Sequence, residues 1–225
     1  MNSPAYQPTE RRPIASRNTA VAAWAARRLA AARVSPNAIS VAGMIAAIVG
    51  GGLFAATSYV PEAARWLWLG GALCMQLRLI ANLLDGMVAI ERRVASPVGE
   101  LFNEVPDRIS DAAAFIGLGY AVGGQVVWGL LAALAAVFTA YVRAMARVAG
   151  APQDYCGPMA KPQRMLVATL IGVYCAAVPL AWQPQVPAIG GGIATIGLIV
   201  ITLGSVLTAL RRLWRAAAHL QKAHA

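Results

Sequence analysis

Long stretches with almost no charge recur along this 225-residue chain, and they constrain its fold more than any other feature. The runs cover about 38–57, 66–88, 126–142, 165–182 and 188–210, and a further helix over 97–122 is apolar only beyond Ile109. A helix of about 20 apolar residues crosses the hydrocarbon core of a bilayer. Lipid offers no partner to backbone N–H and C=O groups, so a spanning segment must satisfy them internally. The pattern predicts an all-α, polytopic membrane protein with a bundle of six transmembrane helices. Composition agrees: 59% of the residues are hydrophobic and 12% are charged, against about 25% charged in soluble domains.

The net charge of +10 would suggest nucleic acid in a soluble protein. Here the basic residues lie in alternate loops, so they read as topology anchors and nucleic acid is excluded as a partner. With both termini in the cytoplasm, the cytoplasmic segments hold every loop lysine and arginine except Arg65. A multi-pass protein of the cytoplasmic (inner) membrane follows, with its basic face toward anionic lipid head groups. The three cysteines have no ligand-like spacing, so neither a disulfide framework nor a zinc site is expected.

Residues 1–18, rich in proline, read as a loose tail. Residues 19–34 place Trp24 beside Arg27 and Arg28 in a run too short to span, which predicts an interfacial amphipathic helix. The resulting division is 1–34 tail and surface helix, 35–210 transmembrane domain, and 211–225 basic cytoplasmic tail. Ser35-Pro36 and Ser96-Pro97 each read as an N-cap followed by a first-turn proline. Trp66 and Trp68 read as interfacial anchors. Gly43, Gly50, Gly51 and Gly52 permit close helix contact.

The chemistry concentrates in 82–111. Carboxylates at the end of a hydrocarbon-length helix are costly and mark function. At 100° per residue, Arg78, Asn82, Asp85 and Ala89 share a stripe of about 60° on the second span. Arg78 then faces either the bundle interior or, by snorkelling, the cytoplasmic side. On the third helix Glu100, Asn103, Glu104, Asp107 and Asp111 fall within an arc of about 100°, with Pro106 expected to kink it. Two helix ends that present oxygens in this way can hold Mg2+ or Mn2+. Gly86 and Gly99 leave room for a phosphate or nucleotide near the backbone. Such a clamp suits a pyrophosphate substrate, with a spare carboxylate to take a proton from an attacking hydroxyl.

The stretch from Asn82 to Asp107 resembles the signature of the CDP-alcohol phosphotransferases, Asp-x2-Asp-Gly-x2-Ala-Arg-x8-Gly-x3-Asp-x3-Asp. Asp85, Gly86, Ala89, Gly99 and Asp107 fall on their places; Asn82, Asn103 and Ile90 stand where the family has Asp, Asp and Arg. The layout of spans, Ser35-Pro36-Asn37 and the loop from Arg143 to Arg164 are similar to the family too. The resemblance implies transfer of a phosphatidyl group from CDP-diacylglycerol to a hydroxyl acceptor, with release of CMP. It also implies a homodimer and two divalent metals.

By position, Asp85 is implied as a metal ligand, Asn82 and Asn103 as occupants of ligand places, and Asp107 as ligand or general base. Gly86, Ala89 and Gly99 are implied to line the cytidine pocket. Arg143, Lys161 and Arg164 are implied to receive a small alcohol acceptor that is itself phosphorylated. Two readings of the asparagines remain open. Either Glu104 and Asp111 restore the lost charge, which the extra acids favour, or the site holds one metal or has lost catalysis. Arg78, Arg92 or Arg93 could replace the missing arginine. A catalytically silent homologue that binds CDP-lipid, or partners an active subunit, is the rival reading. A cation transporter is disfavoured, because the acids cluster at one end and no internal repeat is visible.

Overall fold

The computed structural model describes residues 19–94 and 96–223, without the side chains of Pro97, Glu100 and Ala223. The expected loose tail and the side chain of Glu100 therefore lie outside the described residues. Seven α-helices make up nearly all of the described chain: α1 (Ala20–Ala31), α2 (Pro36–Ala56), α3 (Ala64–Glu91), α4 (Pro97–Tyr120), α5 (Val126–Val148), α6 (Lys161–Ala177) and α7 (Ile193–Ala223). Among the described residues, α2, α3, α5 and α7 are long and apolar enough to cross a membrane. Helix α4 is excluded by its acids, and α6 by its 17 residues.

Helices α6, α3, α2, α4, α5 and α7 pack in that order, and a thinner contact between α6 and α7 closes the ring. Its interior holds Phe54, Met75, Phe115, Leu118, Met165, Leu198 and Ile201. Ile45, Leu73, Leu134, Phe138, Leu170 and Leu203 point outward and are exposed. An all-round apolar surface of this kind is stable only in lipid. In lipid, close packing drives association, so small residues sit where helices cross. A Cβ on Gly51 would strike the Ala113 carbonyl, and one on Gly117 would strike the backbone of Gly51. Glycine at both positions lets α2 and α4 touch backbone to backbone. Gly52, by contrast, faces open space.

The ends of the helices follow local chemistry. The Ser96 hydroxyl accepts from the Gly99 N–H at 3.1 Å, an N-cap that contributes about 1 kcal/mol. Ser35 occupies the N-cap of α2 but makes no side-chain cap bond, and Pro36 at N1 removes one orphan donor. Helix α4 runs on through Pro106, whose carbonyl accepts from the Ser110 hydroxyl at 2.7 Å.

Three expectations need correction. Trp66 is 72% exposed, as an anchor should be, but Trp68 is buried against Phe54 with ring centroids 5.4 Å apart. Residues 188–192 are not helical: they form a 3-10 turn and the second strand of a hairpin that pairs Gln185 with Gly192 and Val186 with Gly191. The tail after 210 is no separate segment either, since α7 continues to Ala223. Its alanines and leucines favour helix, and one face of it returns to the bundle through Arg212.

Candidate active site at the basic end of the bundle

The N-terminal ends of α2, α4 and α6 meet the C-terminal ends of α3 and α5 at one end of the ring. Between them lies a cavity of about 980 Å3, lined by Ser40, Asn82, Asp85, Gly86, Ala89, Gly99, Asn103, Glu104, Asp107, Arg143 and Lys161. All three implied nucleotide-pocket residues, Gly86, Ala89 and Gly99, are on its wall. Asp111 and Arg164 are not.

Asp85 is 4% exposed. Its carboxylate accepts from the Ser40 hydroxyl at 2.6 Å and from the Gly86 N–H at 2.6 Å. Both partners are neutral, and among the described residues no ion pair meets this carboxylate. Asp107 is the opposite case. Arg78 and Lys161 each pair with one of its oxygens, and Arg108 stands 3.6 Å from the other. Lys161 also donates to the Asn82 carbonyl at 3.0 Å. Arg78 is fully buried and donates through Nε to Ser110 at 2.9 Å, so it faces the interior and does not snorkel. The carboxylate it meets is Asp107 of α4, not Asp85 of its own helix.

The acids expected to restore charge are committed elsewhere. Asp111 is fully buried and accepts from Arg164 at 2.7 Å. Arg164, 2% exposed, also donates to Thr139 at 3.1 Å and to the Met159 carbonyl at 3.0 Å. Helix α6 presents Arg164 inward, and burial without that partner would cost several kcal/mol, about 3–5 by analogy with broken pairs. Asp111 and Arg164 thus pair with each other outside the lining of the cavity, and among the described residues the Asp111 Oδ1 has no hydrogen-bond partner. Glu104 accepts from Arg143 at 2.5 Å and faces Arg108 at 3.4 Å. Arg143 also lies over the Tyr155 ring, 5.2 Å from its centroid.

Sequence reasoning missed several wall residues. Ser40 follows the Ser-Pro-Asn turn by one helical turn, and only its spacing from Pro36 could have drawn attention to it. Arg212 reaches the cavity from the far end of α7 and donates to the Cys156 carbonyl at 2.9 Å and the Thr139 carbonyl at 3.2 Å. Of the three candidate replacement arginines, Arg92 lines the cavity and holds the α1–α2 turn through the carbonyls of Arg33, at 3.2 Å, and Val34, at 2.8 Å. Beside the site, burial would raise the Asp154 carboxyl, but the Cys156 thiol and N–H, with Arg215 and Arg212, bring it below the usual carboxylate range.

The donors fit a hard dication. Asp85 supplies a carboxylate outside any ion pair, and the Asn103 Oδ1 is buried with no hydrogen-bond partner, both among the described residues. Such an orphan oxygen costs about 1–3 kcal/mol unless something fills its lone pairs.

An apolar helical ring with an acid- and arginine-lined cavity at one end defines a membrane protein with a polar site among its helix ends. The profile of the CDP-alcohol phosphatidyltransferase family matches residues 33–210, and the chain belongs to that family. It is 28% identical over 190 residues to the phosphatidylinositol phosphate synthase of Mycolicibacterium smegmatis, covering 80% of this chain and 77% of the relative. The fold matches the crystal structure of Mycobacterium tuberculosis phosphatidylinositol phosphate synthase with CDP-DAG bound, at a TM-score of 0.68 and 22% identity, covering 88% of this chain and 94% of that one. The same enzyme in complex with manganese and citrate aligns with a TM-score of 0.68, again at 22% identity, over 87% and 88% of the two chains. The chain is an integral membrane phosphatidyltransferase.

Proposed function

We propose that the chain transfers a phosphatidyl group from CDP-diacylglycerol to a hydroxyl on a small, phosphorylated alcohol and releases CMP. The observation that carries this is the cavity itself. It joins a carboxylate that meets no ion pair among the described residues, a braced one and an arginine-rich wall at the helix ends of a lipid-facing bundle. The synthase names of the mycobacterial relatives support turnover and a phosphorylated acceptor over a silent lipid-binding homologue.

In the reaction the acceptor oxygen attacks the phosphorus that bears diacylglycerol. The P–O bond to the CMP phosphate breaks, CMP leaves with the bridging oxygen, and the hydroxyl proton passes to a carboxylate. A bound Mg2+ or Mn2+ would polarise the diphosphate and neutralise the charge that builds on CMP. Asp85, held by Ser40, and the Asn103 carbonyl are the residues placed to hold it. Asp107 is the proton acceptor, held in position by Arg78 and Lys161. Gly86, Ala89 and Gly99 give the cytidine room to lie near the backbone. Arg143 and Arg212, which line the cavity, suit the phosphate of the acceptor.

The family layout and the alternating charge support six spans, α2 to α7. They also support an inner-membrane location, cytoplasmic termini with α1 on the cytoplasmic surface, and a homodimer. The test is CMP release from CDP-diacylglycerol by purified protein with Mg2+ and inositol phosphate as the acceptor. Turnover that vanishes in Asp85→Asn and Asp107→Asn is expected. Nucleotide binding without any turnover would overturn the reading.

A further inference from the structure

The geometry points to Lys161 as a resident cation of the acid cluster: its ammonium takes the place of one divalent ion, so the site binds a single dication. This rests on the transfer reading above and concerns how that site is charged.

The charges lead to it. Of the four motif places that face the cavity, two carry carboxylates, Asp85 and Asp107, and two carry neutral asparagines, Asn82 and Asn103. The neighbouring acids add nothing, since Arg164 matches Asp111 and Arg143 with Arg108 matches Glu104. Two dications would bring four positive charges to two negative ones, beside the fixed charges of Arg78 and Lys161. One dication on Asp85, with the ammonium on Asp107, leaves far less uncompensated charge in a low-dielectric site.

The position of the lysine argues for a role. Lys161 is the first residue of α6, at the end of the helix dipole that repels cations. Its side chain is only 10% exposed, and lysine is almost never buried unless paired. Both penalties are met by Asp107 and by the Asn82 carbonyl at 3.0 Å. The asparagine thus does what an aspartate could not do without adding charge: it offers the ammonium a neutral acceptor. An ammonium has three donors. Two are used here, and Lys161 lines the cavity, so a third is left for a phosphate oxygen of the substrate.

The test counts Mn2+ alone on the full-length protein in detergent, by electron paramagnetic resonance of free and bound ion. Wild type is expected to bind one Mn2+ per chain. Lys161→Met should bind Mn2+ roughly tenfold more tightly or better, because a like charge is gone. Asn82→Asp, which keeps the lysine, should still bind one. Asn82→Asp combined with Lys161→Met should bind two. Two Mn2+ or none on wild type, two on Asn82→Asp, or unchanged binding in Lys161→Met overturns the assignment. CMP release is followed on the same samples. Absent turnover with one Mn2+ bound overturns the transfer reading alone; turnover with two Mn2+ bound overturns the lysine assignment alone.

Discussion

Removing the Arg164 side chain separates two roles that the primary structure could not tell apart. If Arg164 recognises the acceptor, Arg164→Met raises the KM for the acceptor and leaves stability alone. The geometry predicts the reverse. Asp111 is fully buried and Arg164 is 2% exposed, with 2.7 Å between them. Breaking one side of such a pair costs about 3–5 kcal/mol, because the remaining charge is stranded. Two further hydrogen bonds of Arg164, to Thr139 and Met159, are lost with it. Replacing both members with neutral groups is often close to neutral, so Asp111→Asn with Arg164→Met should regain most of the loss. Denaturation in mixed detergent micelles measures the three proteins. Arg164→Met that unfolds like wild type, or a double variant less stable than the single, refutes the reasoning.

Other outcomes follow from the same contacts. Ser40→Ala should weaken Mn2+ binding about 10–100-fold with little loss of thermal stability, since Ser40 orients Asp85 and its other bond, to the Pro36 carbonyl, is long at 3.3 Å; a titration that matches wild type refutes it. Gly117→Leu should cost at least about 1–3 kcal/mol by forcing α4 from the Gly51 backbone, seen as a lower melting temperature, whereas Gly52→Ala should be silent. Asp154 lies below the usual carboxylate range when folded. Its anchoring of the 149–160 loop to Arg215, at 3.1 Å, is therefore complete above that range and lost as the pH falls through its folded pKa. The protection of the loop amides, corrected for the intrinsic pH dependence of exchange, should fall in acid, and Asp154→Asn should abolish that fall.

Periodicity and composition determined a good deal of this protein. Uncharged runs of bilayer length specify helices, because lipid leaves the backbone no other partner. The 100° step puts Arg78, Asn82, Asp85 and Ala89 on one face, and the spacing of Asp85, Gly86, Gly99 and Asp107 points to the catalytic end. What periodicity cannot state is which helix a face meets. Arg78 was legible as sharing a stripe with Asp85, yet it pairs with Asp107 of another helix, 29 residues away. Arg164 had the look of a loop cation and is instead the buried partner of Asp111, 53 residues distant. Trp68 had the look of an anchor and is core; Arg212 belonged to a tail and reaches the cavity. A charge in a sequence has a sign but no partner. Only the rotation of each helix about its axis and the order of helices around the ring decide which opposite charge it meets, and in a site of low dielectric that meeting decides whether a residue binds, braces or reacts.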